Sequence, residues 1–375
     1  MSEIHPLDRA AAALADAGID ALLVGPGADL RYLTGYLALP LERLTLLVAR
    51  ADGEHHLVTP RLEVARAEAA DLPASVELAV HDETDDPFAL VAKLLGGGPG
   101  TYAVGDRLWG MFVLGLQQAL PGSRWRLASE VTSELRLRKT PAEIAKLRQA
   151  AEAIDRVHAA CPEILRPGRT EAGAGREIAD RIVAEGHDDV RFVIVASGPN
   201  GASPHHENSD RILEPGDPVV VDIGGSVDGY CSDCTRNYLV GSAGEPEGYA
   251  EAHAALEDAQ AAARAAVRPG VAVGEIDRVA RAHLAEAGYA EYFIHRTGHG
   301  IGLEEHEEPY LVEGRELALE PGMAFSVEPG IYIPGRFGQR IEDIVVVTDD
   351  GAESLNRLDR APQRTTDRRS HDAGR

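Results

Sequence analysis

Three cysteines in 375 residues are too few for a disulfide framework, which points to a reducing compartment, the cytoplasm. No apolar run reaches the length that spans a bilayer, and the opening MSEIHPLDRA does not read as a signal peptide, so no membrane association is expected. Positive charge is scarce as well: 37 lysines and arginines face 61 acids, for a formal net charge of −24. That balance opposes binding to nucleic acid or an anionic membrane and reads as a solvated acidic surface. What is present is ordinary for a globular protein, 44% hydrophobic and 26% charged, at a length that suggests two domains.

Residues 1–135 read as a small α/β domain. An alanine-rich helix is expected over Asp8–Ala17, then strands at Ala21–Gly25, Leu44–Arg50 and His55–Pro60. A helix near Arg61–Ala70, a loop at Gly96–Gly100 and a strand at Tyr102–Gly105 follow. No acids and histidines cluster inside these apolar runs, so the domain suits substrate gating or assembly rather than chemistry. His55 and His56 read as an exposed strand end rather than metal ligands.

A boundary falls near Arg136, and a second domain is expected over 136–357. Thr140 is an N-cap, Pro141 takes the first helical position and Glu143 closes a capping box, opening a helix that runs to about Ile164. Thr170 and Glu171 open another, which ends near Gly186. A buried strand at Arg191–Ala196 leads into a loop carrying His205 and His206, where a histidine could donate to a reacting carbonyl. Helices are expected over Glu245–Val267 and Val273–Ala287. Residues 358–375 are polar and basic and are expected to be a disordered tail.

Chemistry enters with VVVDIGGSVDGYCSDCTR, Val219–Arg236. Asp222 lies inside an apolar strand-like run, where a lone carboxylate would be costly. Val227-Asp228-Gly229 carries turn chemistry, and a hairpin loop of two or four residues there puts Asp222 and Asp233 on one sheet face, opposite or diagonal. AFSVEPGIYIPGRFGQRIEDIVVV, Ala324–Val347, repeats the design. A three-residue loop centred on Gly335 sets Glu328 across from Glu342, each again in an apolar run.

Between the ribbons lies FIHRTGHGIGLEEHEEP, Phe293–Pro309, with His295, His299 and His306 among Gly298, Gly300 and Gly302. Alternate glycines argue against a helix and suggest an extended backbone that lets a ligand come close. GHGIG lacks the strand–GxGxxG–helix context of a dinucleotide loop. Carboxylates gathered two by two cannot all stay ionised without a cation between them. Four acids and one histidine form an oxygen-rich set suited to two divalent ions with bridging ligands, whose water has a lowered pKa.

DIGG…GYCSDCTR, HRTGHGIGLEEHEEP, SVEPGIY and RIED resemble the motif series of the pita-bread metallopeptidases, in the proline-peptidase branch of Xaa-Pro dipeptidases and Xaa-Pro aminopeptidases. The likeness covers about Arg136–Asp349, and the N-terminal third is similar in general shape to the creatinase/prolidase-like α/β domain of that branch. The resemblance implies that Asp222 holds one ion, that Asp233 and Glu342 bridge both, and that His299 and Glu328 complete the other. Glu328 would also pass a proton from water to the leaving amine. By the same likeness His295 and His306 sit by the substrate, His306 steadies the oxyanion, and His205 lies against the substrate. Arg340 would support a ligand or anchor a substrate carboxylate. The family cleaves before proline in di- or oligopeptides, uses Mn²⁺, Co²⁺ or Zn²⁺, and is usually homodimeric.

Some family dipeptidases carry an arginine after the HExP segment to grip the dipeptide carboxylate. Tyr310 stands there, which leaves an aminopeptidase acting on longer peptides as an alternative. A methionine aminopeptidase fits the large N-terminal domain poorly, and creatinase lacks the metal acids. A metal-free binding or scaffold protein of the same fold would differ in metal content. Cys231 and Cys234 bracket Asp233, but residues three apart on a strand point to opposite faces, so a structural role is expected.

Overall fold

The computed structural model describes residues 4–366, and the chain divides into two compact units, Met1–Arg136 and Leu137–Arg375. In the first, strands β1 (Ala21–Val24), β2 (Leu46–Arg50), β3 (His55–Pro60), β4 (Val76–His81), β5 (Thr101–Val104) and β6 (Arg124–Leu127) form one sheet. Its order is β4-β3-β2-β1-β5-β6, antiparallel at β1–β2 and β2–β3 and parallel elsewhere. Helices α1 (Pro6–Ala17), α2 (Ala28–Thr34), α3 (Val64–Glu68), α4 (Pro87–Leu94), α5 (Gly110–Ala119) and α6 (Ser129–Leu137) accompany it. The run ALLV of β1 is wholly buried because alternate residues serve two cores: Leu22 and Val24 meet Leu7 and Leu14 of α1, while Ala21 and Leu23 meet Phe112 and Leu116 of α5. Edge strands β4 and β6 carry exposed or half-exposed side chains, so apolar patterning passes over them. His55 corrects an expectation: it is buried, because β3 is an interior strand flanked by β2 and β4.

The second unit begins with the predicted capping box. The Glu143 amide donates to Thr140 Oγ1 (3.3 Å) and the Thr140 amide to Glu143 Oε2 (2.8 Å), opening α7 (Pro141–Ile164). Helix α8 (Glu171–Ala184) follows, then β7 (Asp189–Ser197), β8 (Pro218–Val227), β9 (Tyr230–Cys231) and β10 (Cys234–Leu239). Helices α9 (Tyr249–Ala266) and α10 (Val273–Glu286) precede β11 (Gly298–Gly300), β12 (Glu307–Leu311), β13 (Ala324–Val327), β14 (Gly330–Ile333), β15 (Phe337–Arg340), β16 (Asp343–Val347), β17 (Ala352–Ser354) and β18 (Gln363–Arg364). One sheet runs β18-β10-β8-β7, with β9 paired to β8, and another runs β12-β11-β13-β16-β17, while β14 and β15 form a ribbon. Helices α7 and α8 bury Ile154, Val157, Ile178 and Ile182 against Val195, Val221 and Ile223 of the first sheet. Helices α9 and α10 bury Leu256, Ile276 and Leu284 against Phe325, Val327 and Val345 of the second.

The tail expectation is corrected over residues 358–366. Buried Arg236 donates to the Leu358 and Asp359 carbonyls, and β18 pairs with β10 in parallel. A buried guanidinium needs acceptors, and the chain's own end supplies them. Residues 367–375 of that expectation lie outside the described residues. Among the described residues no helix is long and apolar enough to cross a membrane.

Candidate metal centre

Strand parity explains how an acid enters an apolar run. Val219, Val221 and Ile223 of β8 join the core beneath α7 and α8, which leaves Asp222 on the other face. The turn at Asp228 and Gly229 has φ of 48° and 80°, the left-handed pair that a two-residue hairpin loop requires. It sets the register Val227↔Tyr230, Ser226↔Cys231 and, further on, Thr235↔Asp222. Asp233 thus lies diagonal to Asp222 on the same face. Cys231 and Cys234 enter separate cores as free thiols, Cys231 with Leu147 and Ala151, Cys234 with Ile154 and Val157.

The second ribbon keeps one register throughout, from Ala324↔Val346 and Val327↔Asp343 to Gly330↔Arg340 and Ile333↔Phe337. Pairing lapses between these ladders, and Glu328 and Glu342 sit in the lapse. Their freed backbone amides bond elsewhere: Glu342 N–H donates to the Thr235 carbonyl (3.3 Å) and Glu328 N–H to that of Thr297 (2.8 Å). These two bonds tie the second ribbon to the first hairpin and to the segment entering β11. The acids converge through the backbone.

His299 lies on β11, whose start is held by Asp277 of α10, a buried carboxylate that accepts from Thr297 N (2.8 Å) and Oγ1 (2.7 Å). A Cβ at Gly298 would meet the Ser326 carbonyl at 1.9 Å and one at Gly300 the Glu308 carbonyl at 2.2 Å. At Gly298 and Gly300 the missing side chain makes room for neighbouring backbone, and at Gly302 for the Glu307 carboxylate. His299 Nδ1 lies 3.2 Å from the Gly300 carbonyl, which can only accept, so Nδ1 carries a proton and Nε2 is turned toward the acids. Nε2 faces Glu328 Oε1 at 3.2 Å and Asp233 Oδ2 at 3.6 Å.

Ligand atoms of Asp233, His299 and Glu342 lie within 4.8 Å of one another, and all three residues are buried. Thr235 Oγ1 joins the remaining acid: it is 2.9 Å from Asp222 Oδ1 and 2.7 Å from Glu342 Oε2. Burial, then the Glu342 and Asp222 charges, hold the Asp233 carboxyl well above the usual carboxylate range, and burial, then Glu328 and Asp222, do the same to Glu342. Arg340 is the guanidinium at the site, donating to Asp222, to Thr235 Oγ1 (3.0 Å) and to the Tyr332 hydroxyl (2.8 Å). One arginine does not balance four acids crowded on one imidazole, and a divalent cation among them would relieve their mutual repulsion. The donor set fits divalent ions.

The Tyr332 hydroxyl donates to His295 Nε2 (2.8 Å), and the His295 Nδ1–H donates to the Arg296 carbonyl (2.7 Å). Burial lowers the His295 pKa, in keeping with the neutral ring this chain requires. His306 is exposed, with its ring centroid 4.0 Å from that of His299; partial burial, then the His299 imidazole, push it down to about 4. His205 is exposed on its loop, near enough for its charge to act on His306. Tyr310 lies directly across from His299 in the β11–β12 pairing.

Three supports escaped the sequence reading. Glu171, read only as a helix opener, is fully buried and accepts from Ser197 N (2.7 Å) and Oγ (2.6 Å), Asn200 Nδ2 (3.0 Å), His206 Nε2 (2.8 Å), and Ser209 N (3.1 Å) and Oγ (2.6 Å). It fixes both ends of the loop that carries His205. Lys139 is buried against Glu307 at 2.8 Å, beside His306. Thr235 links two acids of different ribbons. Each depends on partners far away in sequence, and no local spacing announces it.

The sequence pattern of metallopeptidase family M24 matches residues 145–349, and that of the creatinase/prolidase N-terminal domain matches residues 6–138. A probable dipeptidase PepE of Mycobacterium tuberculosis is 55% identical over 354 residues, covering 93% of each chain. An Xaa-Pro dipeptidase of Lactobacillus delbrueckii subsp. lactis is 36% identical over 357 residues, 92% of this chain and 95% of that one. The crystal structure of dipeptidase PepE from Mycobacterium ulcerans superposes with a TM-score of 0.91 at 52% identity, covering 96% of this chain and 97% of that one.

Proposed function

Since this chain belongs to metallopeptidase family M24 and its first unit is a creatinase/prolidase N-terminal domain, we propose that it hydrolyses Xaa-Pro dipeptides with two divalent ions. The observation that carries the reading is the meeting of four carboxylates with the Nε2 of His299 and the guanidinium of Arg340. Asp222, Asp233, His299, Glu328 and Glu342 are the residues that would hold the ions. Bound divalent ions neutralise these acids and supply a water acidic enough to act at neutral pH, with Mn²⁺ the first choice and Co²⁺ or Zn²⁺ the alternatives.

The chain's own groups do the rest. Ser326 Oγ donates to Glu328 Oε1 (3.1 Å), which orients the carboxylate that takes a proton and returns it to the leaving nitrogen. His306, open to solvent above His299, donates to the oxygen that gains charge, and His205 closes on the substrate from its loop. Arg340 positions Asp222 rather than meeting substrate, because Asp222, Thr235 and Tyr332 already engage it. Three free buried thiols suit a reducing, cytoplasmic setting.

A second reading, an Xaa-Pro aminopeptidase, is favoured by Tyr310 where the resemblance places a carboxylate-gripping arginine. Kinetics on Ala-Pro and Ala-Pro-Ala side by side, with Mn²⁺, Co²⁺ and Zn²⁺ in turn, separate the two. Metal-dependent cleavage of Ala-Pro is expected. Activity confined to the tripeptide overturns the dipeptidase reading, and a protein that neither binds metal nor cleaves either peptide is a scaffold.

A further inference from the structure

The geometry points to Arg296, stacked on Tyr310, as the group that binds the free α-carboxylate of the substrate. This rests on the dipeptidase reading and assigns the chemistry of one end of its substrate.

Arg296 is half-buried, and its guanidinium carbon lies 4.2 Å from the centre of the Tyr310 ring. Among the described residues it makes no ion pair with a carboxylate, whereas Arg281, Arg315 and Arg340 around the same segment each have one. A half-buried guanidinium lying over an aromatic face can keep its edge N–H donors free, and that edge matches a planar carboxylate. The position is right for substrate. Tyr310 faces His299 across β11–β12, so the stacked cation stands next to the metal-ligating imidazole, and its charge reaches His306 on the open side. Arg296 is also anchored, because its own carbonyl accepts from His295 Nδ1 (2.7 Å). A Tyr310–Arg296 pair thus offers a positive charge even though the side chain on β12 is itself neutral.

The acid-to-amide preference tests this directly. We expect kcat/KM on Ala-Pro to exceed that on Ala-Pro-NH₂ by about 10- to 100-fold, the range for a hydrogen bond to a charged group. Arg296→Ala should bring the ratio close to one, chiefly through KM on the acid, and Arg296→Lys should restore part of it. Tyr310→Leu, which removes the stacking face and keeps the charge, should lower the ratio less. The same ratio read on Ala-Leu and Ala-Leu-NH₂ keeps the test independent of proline: an enzyme that ignores Ala-Pro but prefers the acid of Ala-Leu refutes the Xaa-Pro reading and leaves Arg296 standing. Wild type that treats acid and amide alike overturns the assignment of Arg296, as does an Arg296→Ala variant that keeps the full preference.

Discussion

Replacing Glu171 by glutamine tests how the fold places His205. The carboxylate is fully buried, so burial alone would push its pKa up; donors from Ser197, Ser209 and His206 outweigh that and hold it at about 2 against an ordinary 4.5. A difference of that size corresponds to about 3 kcal/mol of stability at neutral pH. Glu171→Gln keeps the shape but turns an amide N–H₂ toward groups that donate, two of them backbone N–H of Ser197 and Ser209. The sign is fixed: a carboxylate depressed in the folded state stabilises above about pH 4.5, and its contribution fades as pH falls toward 2. The variant should therefore be about 3 kcal/mol less stable at pH 7, and the gap should shrink to less than half by about pH 3. Both tryptophans, Trp109 and Trp125, lie in the first unit, so fluorescence does not report the change. Denaturant unfolding followed by far-UV circular dichroism, with hydrogen exchange on β7 and β8, does. Metal-free protein is used so that metal release adds nothing to the pH dependence. At pH 7 the loosened loop should also lower kcat/KM by about 10- to 100-fold through displacement of His205. A gap of under about 1 kcal/mol, or one equal at pH 7 and pH 3, refutes the reasoning.

Other consequences follow from the metal centre. Thr235→Val removes the hydroxyl between Asp222 and Glu342, and metal affinity by titration calorimetry should fall about 10- to 100-fold, while an unchanged affinity would mean the hydroxyl orients neither acid. Asp233→Asn should abolish turnover and cut bound metal from two equivalents, measured by elemental analysis; near-normal rates would dismiss its bridging place. In metal-free protein the same change should raise the melting temperature, since the folded site resists ionisation of the Asp233 carboxyl and an amide has no such cost, and a lower one would show that the acids do not repel as described. Cys231→Ala and Cys234→Ala should cost up to about 2 kcal/mol each by emptying packed space, with metal content intact; loss of metal would make the thiols ligands.

Local chemistry carried much of this protein. Turn residues Asp228-Gly229 and Gly335 fixed the two ribbon registers, because a side-chain period of two leaves each acid only one face once the loop length is set. The Thr140–Glu143 box likewise announces its helix, since both partners lie within one turn. Tertiary structure alone decided what depends on contacts between distant segments. It tied the ribbons together through the Glu342 and Glu328 amides, placed Thr235 between two acids, buried Glu171 beneath the His205 loop and stacked Arg296 on Tyr310. Glycines in β11 look the same in sequence whether they admit a ligand or a neighbouring strand, and only the packing of Ser326 and Glu308 tells which. A period or a cap is written in adjacent residues, whereas a hydrogen bond between positions 31 or 107 apart, as from Glu328 to Thr297 and from Glu342 to Thr235, depends on where the rest of the chain has gone.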